Sequence, residues 1–79
     1  MKTNDIKKGT RIKLNNGLEA TMMDNLKGNI RMCEVYGTYT ESGNVYAHDI
    51  VEAMVDGSWV KVEHTKPQIK LKQQINLMF

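Results

Sequence analysis

A chain of 79 residues with one cysteine and a formal net charge of +2 has room for one domain and no intrachain disulfide. That charge is too small to argue for a nucleic-acid partner unaided, and no run approaches the roughly 20 apolar residues that span a bilayer. The polar stretch Met1–Thr10 lacks the apolar core of a secretory signal. A lone Cys33 fits a reducing compartment or a small buried apolar residue, so the chain is expected to be soluble and cytoplasmic.

Residues 1–65 read as short strands separated by turns. Thr10–Leu14 alternates, with Ile12 and Leu14 on one face and Arg11 and Lys13 on the other, the period of a half-buried strand. Asn15-Asn16-Gly17 is a tight-turn signal. Leu18–Met23 alternates again and runs into a turn over Asp24–Gly28, which is expected to close on a left-handed Gly28. Ile30–Tyr36 is a third strand, with Gly37–Thr40 continuing it after a break. Glu41-Ser42-Gly43-Asn44 has turn composition. Val45-Tyr46 is extended and Ala47-His48-Asp49 forms a single helical turn. Ile50–Val55 and Ser58–Glu63 make a hairpin about Asp56-Gly57, anchored by Trp59. Strands of this length, with turns every 8–12 residues, predict an all-β fold of five to six short antiparallel strands, a small barrel or sandwich, with a closed barrel leaving no exposed edges. Pro67 cannot donate to a ladder, so a C-terminal extension begins near Lys66. Leu71, Ile75 and Met78 suit a helix there, and an extended tether suits the segment equally.

Charge divides at the same boundary. Residues 1–65 hold eight Lys/Arg and nine Asp/Glu, a balance of −1, while residues 66–79 hold Lys66, Lys70, Lys72 and no acid. Those three lysines are the expected source of electrostatic steering toward an acidic partner. The tail then ends in Gln74-Ile75-Asn76-Leu77-Met78-Phe79, more apolar than the usual terminus. Such an end either covers the barrel's own open side, seals a homodimer, or inserts into a partner.

The residues able to carry chemistry are Cys33, His48, Asp49 and His64. Their spacing matches no zinc site, and Cys33 with His48 lacks a third member or an oxyanion site. The six glycines are isolated turn residues rather than a phosphate loop. No cofactor and no enzymatic activity are expected. Lys8, Arg11, Lys13 and Arg31, with Lys7 beside them and with Trp59, Tyr36, Tyr39 and Tyr46 as stacking surfaces, form the candidate nucleic-acid face. An ordinary solvated face balanced by neighbouring acids is the competing reading.

Two resemblances sharpen these expectations. Asp5-Ile6-Lys7-Lys8-Gly9-Thr10-Arg11-Ile12-Lys13-Leu14 resembles the opening of SH3-like barrels, including the KOW type. Gly43–Val51 is similar to the G-x-x-Y-x-x-D-I-V segment of phage YopX-type SH3-like domains. Together they imply an SH3-like barrel over residues 1–65 and a phage source, hence the host bacterial cytoplasm. The tail resembles the Q-L-x-L-F or Q-L-x-L-x-[LF] peptides that dock bacterial proteins on the β sliding clamp, with Ile75 in place of the usual leucine. That resemblance implies that Gln74 sets register, Ile75 and Leu77 fill a pocket beside Met78, and Phe79 anchors. The expected function is therefore a small phage-type accessory protein acting by protein contact through residues 74–79. The alternatives are a nucleic-acid-binding barrel and a structural or dimerising protein with its tail packed on itself or a neighbour.

Overall fold

A computed structural model describes residues 1–78, the side chain of Met78 excepted. Strands β1 (Arg11–Leu14), β2 (Glu19–Met22), β3 (Ile30–Tyr36), β4 (Thr40–Tyr46), β5 (Ile50–Val55) and β6 (Ser58–Lys61) form one antiparallel sheet. Their order is β4-β3-β2-β1-β5-β6. One-turn 3-10 helices lie at Thr3–Asp5 and Ala47–Asp49, and the C-terminal extension is a helix, α1 (Lys66–Met78). The protein is thus mostly antiparallel β, as its alternation predicts, with the tail helical rather than extended.

The alternation sets the two faces. Ile12 pairs with Ala20 on one side and Ala53 on the other, and all three are fully buried. Leu14, Met22, Cys33 and Ile50 extend this core, and Ile6 and Val62 close over it. A register shift between Lys13 and Leu14, where β5 gains a residue, lets Ile50 face inward as Ala53 does. The hairpin turns follow their sequence signals: Gly17 has φ 90°, and Asp56-Gly57 has φ 49° and 83°, the left-handed pair of a two-residue hairpin.

Three expectations are corrected. The 23–29 loop does not close on a left-handed Gly28, which is absent from the positive-φ residues. Asp24 organises it instead, its carboxylate accepting from the backbone N–H groups of Leu26 (3.1 Å) and Met32 (2.9 Å). Glu41-Ser42-Gly43-Asn44 is not a turn but the middle of β4, paired without interruption from Tyr36↔Thr40 to Ile30↔Tyr46. The turn lies at Gly37–Tyr39, where the Gly37 N–H reaches the Tyr39 carbonyl. An exposed edge strand needs no apolar side chains, so its composition imitates a loop. Finally, the sheet is open, with no ladder joining β4 to β6. The far side of β6 is occupied by the N-terminal chain. Met1 N donates to the Lys61 carbonyl (3.0 Å), Glu63 N to Met1 O (2.7 Å) and Thr3 N to Glu63 O (2.8 Å).

Arg31 is the fourth correction. It was expected on a basic surface, yet it is 0% exposed. Side chains alternate along β3, so Arg31 shares the inward face of Cys33. Its guanidinium donates to Gly28 O (2.9 Å), to Asn4 Oδ1 (3.0 Å) and, at 3.5 Å, to Thr3 O. No carboxylate lies within ion-pair distance of it among the described residues. Burial pulls its pKa below the ordinary arginine value, and the charge of Asp24 acts in the opposite sense. Because three oxygens are turned inward to satisfy it, Arg31→Ala removes packing and orphans those acceptors together. The expected loss is about 3 kcal/mol, read as a lower urea midpoint. Arg11→Ala on the solvent face should cost about 0.5 kcal/mol or less.

Candidate functional site

Helix α1 is defined at its start by four residues. The Thr65 N–H donates to Gln68 Oε1 (2.9 Å) and the Gln68 N–H to Thr65 Oγ1 (3.4 Å), a reciprocal capping box over Thr65-Lys66-Pro67-Gln68. Pro67 sits in the first turn, where its missing N–H costs nothing. Gln68 is only 2% exposed, and its Nε2 donates to Asn4 Oδ1 (3.4 Å), the same oxygen that accepts from Arg31. Leu71 and Ile75 follow Gln68 on one helical face and are half-buried, where α1 packs on the helical turn Ala47–Asp49.

That packing divides the predicted contact residues. Ile75 turns toward the body, whereas Gln74 is exposed and Leu77 is 88% exposed. Lys66 and Lys70 lie on the outward face with Gln74 and Leu77 by helical spacing, and Lys72 lies off it, close enough to His64 to act on its titration. Phe79 and the side chain of Met78 lie outside the described residues.

The candidate nucleic-acid residues do not converge. Arg11 and Lys13 share the outer face of β1, but each is engaged. Arg11 pairs with Glu19 (3.2 Å) and covers the Tyr36 ring at 4.4 Å, and the Lys13 ammonium lies 4.5 Å from the Trp59 ring centroid. Glu19 and Glu52 stand opposite Lys13 on the two neighbouring strands. Lys8 is exposed in the loop before β1, and its backbone N–H is taken by Asn25 Oδ1 (2.6 Å). Arg31 is on the other side of the sheet. Tyr46 stacks on His48 with ring centroids 5.0 Å apart, and Tyr39 stands exposed at the β3–β4 turn.

Of the groups considered for chemistry, His48 and Asp49 lie close enough to His64 to act on its titration. Cys33 is fully buried and contacts Met22 Sδ at 3.6 Å. Burial, helped by Asp24, pushes its thiol up to about 11, so it is a protonated thiol at neutral pH. His48 is 5% exposed, and its Nδ1 has no hydrogen-bond partner among the described residues. Its Nε2 is 3.5 Å from Asp49 Oδ1. Asp49 in turn accepts from Asn15 Nδ2 (3.0 Å). No cluster of three or more His, Cys, Asp or Glu suited to a metal ion occurs among the described residues. A cleft of ≈ 320 Å³ lies between the β1–β2 turn and the end of β4, with Asn16, Ile30, Asn44 and Tyr46 on its walls. No helix among the described residues is long and apolar enough to cross a membrane.

Comparison of the chain with protein-family models, with curated proteins and with solved structures found no match.

Sequence reasoning missed the capping box and the buried pair Gln68–Asn4. Thr-x-x-Gln before an apolar run was the available signal for the first. The second depends on residues 64 positions apart and has no local signature. A further group tied to this helix is His64. The Thr3 hydroxyl donates to the Glu63 carbonyl (2.8 Å) and so accepts from His64 Nδ1 (2.8 Å). Burial lowers the His64 pKa, and the charge of Lys72 and the neighbouring His48 act in the same sense, against Asp49. A neutral, half-buried His64 contributes stability in full above about pH 6.5. That contribution is lost as the pH falls through this value, because the unfolded chain takes up the proton first. Thermal melts from about pH 7.5 to 5.5 should show Tm declining with pH, with the slope reduced in His64→Gln. A wild-type profile flat across this window would contradict the assignment.

Proposed function

We propose that this protein is a small phage-type accessory protein that acts by contact, delivering its C-terminal peptide to a groove on another protein. The bacterial sliding clamp is the named partner. The observation that carries this reading is Leu77, 88% exposed at the end of α1 beside an exposed Gln74. An apolar side chain so placed contributes little to its own domain and is available to a partner's pocket. The resemblance assigns Gln74 to register, Ile75 and Leu77 to the pocket and Phe79 to the anchor. Presenting all of them to one groove requires the last helical turn to unwind and Ile75 to leave the body. The terminal carbonyls of a helix have no partners within it, and helix ends open at low cost. Lys66 and Lys70 on the outward face would accelerate encounter with an acidic surface.

The SH3-like reading of the body belongs to the same proposal. It is supported by the β1-to-β4 meander, by the single helical turn that carries the chain from β4 to β5, and by the return of β5 to the side of β1. The fully buried, protonated thiol of Cys33 favours contact over chemistry. The balanced outer face of β1, with Arg11 and Lys13 already paired, gives the nucleic-acid reading no specific support.

Titration of the full chain against a purified bacterial clamp tests the proposal. Binding is expected to weaken about tenfold or more in Leu77→Ala, from the loss of one pocket-filling side chain, and to disappear on deletion of residues 75–79. Leu77→Ala should leave the melting temperature of the free protein unchanged. Absence of binding at about 100 μM, or binding indifferent to Leu77→Ala, would reject the clamp as partner.

A further inference from the structure

The two edges of the sheet are treated differently. In an antiparallel ladder, every second residue of an edge strand points its N–H and C=O away from the sheet. At the end of β6 the Lys61 carbonyl and, just beyond the strand, both backbone groups of Glu63 are bonded to the N-terminal chain through Met1 and Thr3, while Trp59 takes no such bond among the described residues. On β4 the parity follows from two neighbouring bonds. Ala47 N donates to Asn29 O, and Met23 N donates to Met32 O. The first makes Arg31↔Val45, Cys33↔Gly43 and Val35↔Glu41 the hydrogen-bonded pairs of β3 with β4. The second agrees, since it turns Met32 toward β2. The outward groups of β4 therefore belong to Thr40, Ser42, Asn44 and Tyr46. Thr40, Ser42 and Asn44 take part in no backbone bond outside the β3 ladder among the described residues, and the Tyr46 carbonyl, at the N-cap, also serves the helical turn Ala47–Asp49.

This seven-residue edge has none of the usual protection. It contains no proline, no lysine and no bulge, its one charge is Glu41, and six of its residues are exposed. At its centre is Gly43. Its φ is not in the left-handed region, and a Cβ there would meet nothing within 4 Å. Nothing within the protomer calls for a glycine at this position, and a glycine inside a strand commonly marks the close approach of another backbone.

We propose that β4 is a dimerisation edge that pairs antiparallel with β4 of a second copy, about a two-fold axis at Gly43. The occupant follows from self-complementarity. With Gly43 opposite Gly43 of the second copy, Thr40 faces Tyr46, Ser42 faces Asn44, and the reciprocal pairs repeat them. All four outward-pointing residues of each protomer then bond to one another. Glu41 falls opposite Val45 rather than opposite itself, so no like charges meet. Shifting the axis to Ser42 leaves Tyr46 opposite Thr38, beyond the strand. The exposed Ile30 and Tyr46, cross-strand neighbours on one face, would gain the Thr40 of the second copy beside them. An isologous contact of this kind closes on itself and does not propagate.

The full chain in light scattering is expected to move from the 9.0 kDa monomer toward twice that mass as its concentration rises to about 1 mM, a weak-complex range. Ser42→Pro and Asn44→Pro each delete an outward N–H that the protomer's own ladder does not use. Either should hold the protein at the monomer mass with an unchanged circular-dichroism spectrum. Gly43→Cys in a Cys33→Ala background reads the register directly, since facing non-hydrogen-bonded residues lie within disulfide reach. Under oxidation it should yield a covalent dimer, and Glu41→Cys in the same background should yield little. A wild-type monomer at every concentration overturns the proposal. So does a dimer that persists in both proline variants or forms no Gly43→Cys crosslink.

Discussion

The side-chain oxygen of Asn4 accepts from two buried donors that approach it from different parts of the chain, Arg31 Nη2 and Gln68 Nε2. Most of the architecture depends on this junction. A guanidinium withdrawn from water without a carboxylate partner is costly unless its donors are satisfied, and here the satisfying oxygens come from the N-terminal segment and the loop before β3. The N-terminal chain is therefore held across the open inner side of the sheet. From that position Thr3 reaches Glu63 and His64, Met1 reaches Lys61, and Ile6 closes the core. The 3-10 turn at Thr3–Asp5, too short to be stable by itself, persists because these contacts fix it.

The junction also sets a gradient along α1. Its first turn is tied by the capping box and by Gln68. Its middle is seated through Leu71 and Ile75, and its last described residues, Asn76 and Leu77, are exposed. Local stability should fall in that order. A helix built this way keeps its base on the domain while its end samples other conformations, which is what delivery of a terminal peptide requires. The same N-terminal chain covers the Lys61–Glu63 end of the β6 edge, whereas β4 is open along its whole length, a surface distinct from the helix tip.

Much of the body could be read from local pattern. Ile12, Leu14, Ala20 and Met22 alternate in sequence and are buried as that alternation requires, and Asn-Gly and Asp-Gly sit at left-handed turns. The misreadings have physical reasons. Glu41–Asn44 has the composition of a turn because an edge strand is solvated along most of its length, and composition reports solvation rather than backbone shape. Arg31 was assigned to the surface by its charge, although its parity with Cys33 pointed inward. A buried arginine becomes acceptable only when Gly28, Thr3 and Asn4 bring their oxygens to it. Gly28 was given a conformational role that the Asp24 carboxylate performs instead. At the candidate site, Leu77 and Gln74 were singled out from sequence, but the inward turn of Ile75 was not.

What the sequence determined by itself was periodic or local: the strands other than β4, the tight turns at Gly17 and Asp56-Gly57, and the concentration of positive charge after residue 65. These rest on steric preferences and hydrogen bonds within a few residues of each other. What only the tertiary structure decided was which charges are free, which edge is open and which end of the helix is loose. Each of those depends on pairings between distant residues, Asn4 with Arg31 and Gln68, Met1 with Lys61 and Thr3 with Glu63. Partners so far apart in the chain leave no pattern in it, because what joins them is hydrogen bonding between groups that only the folded chain brings together.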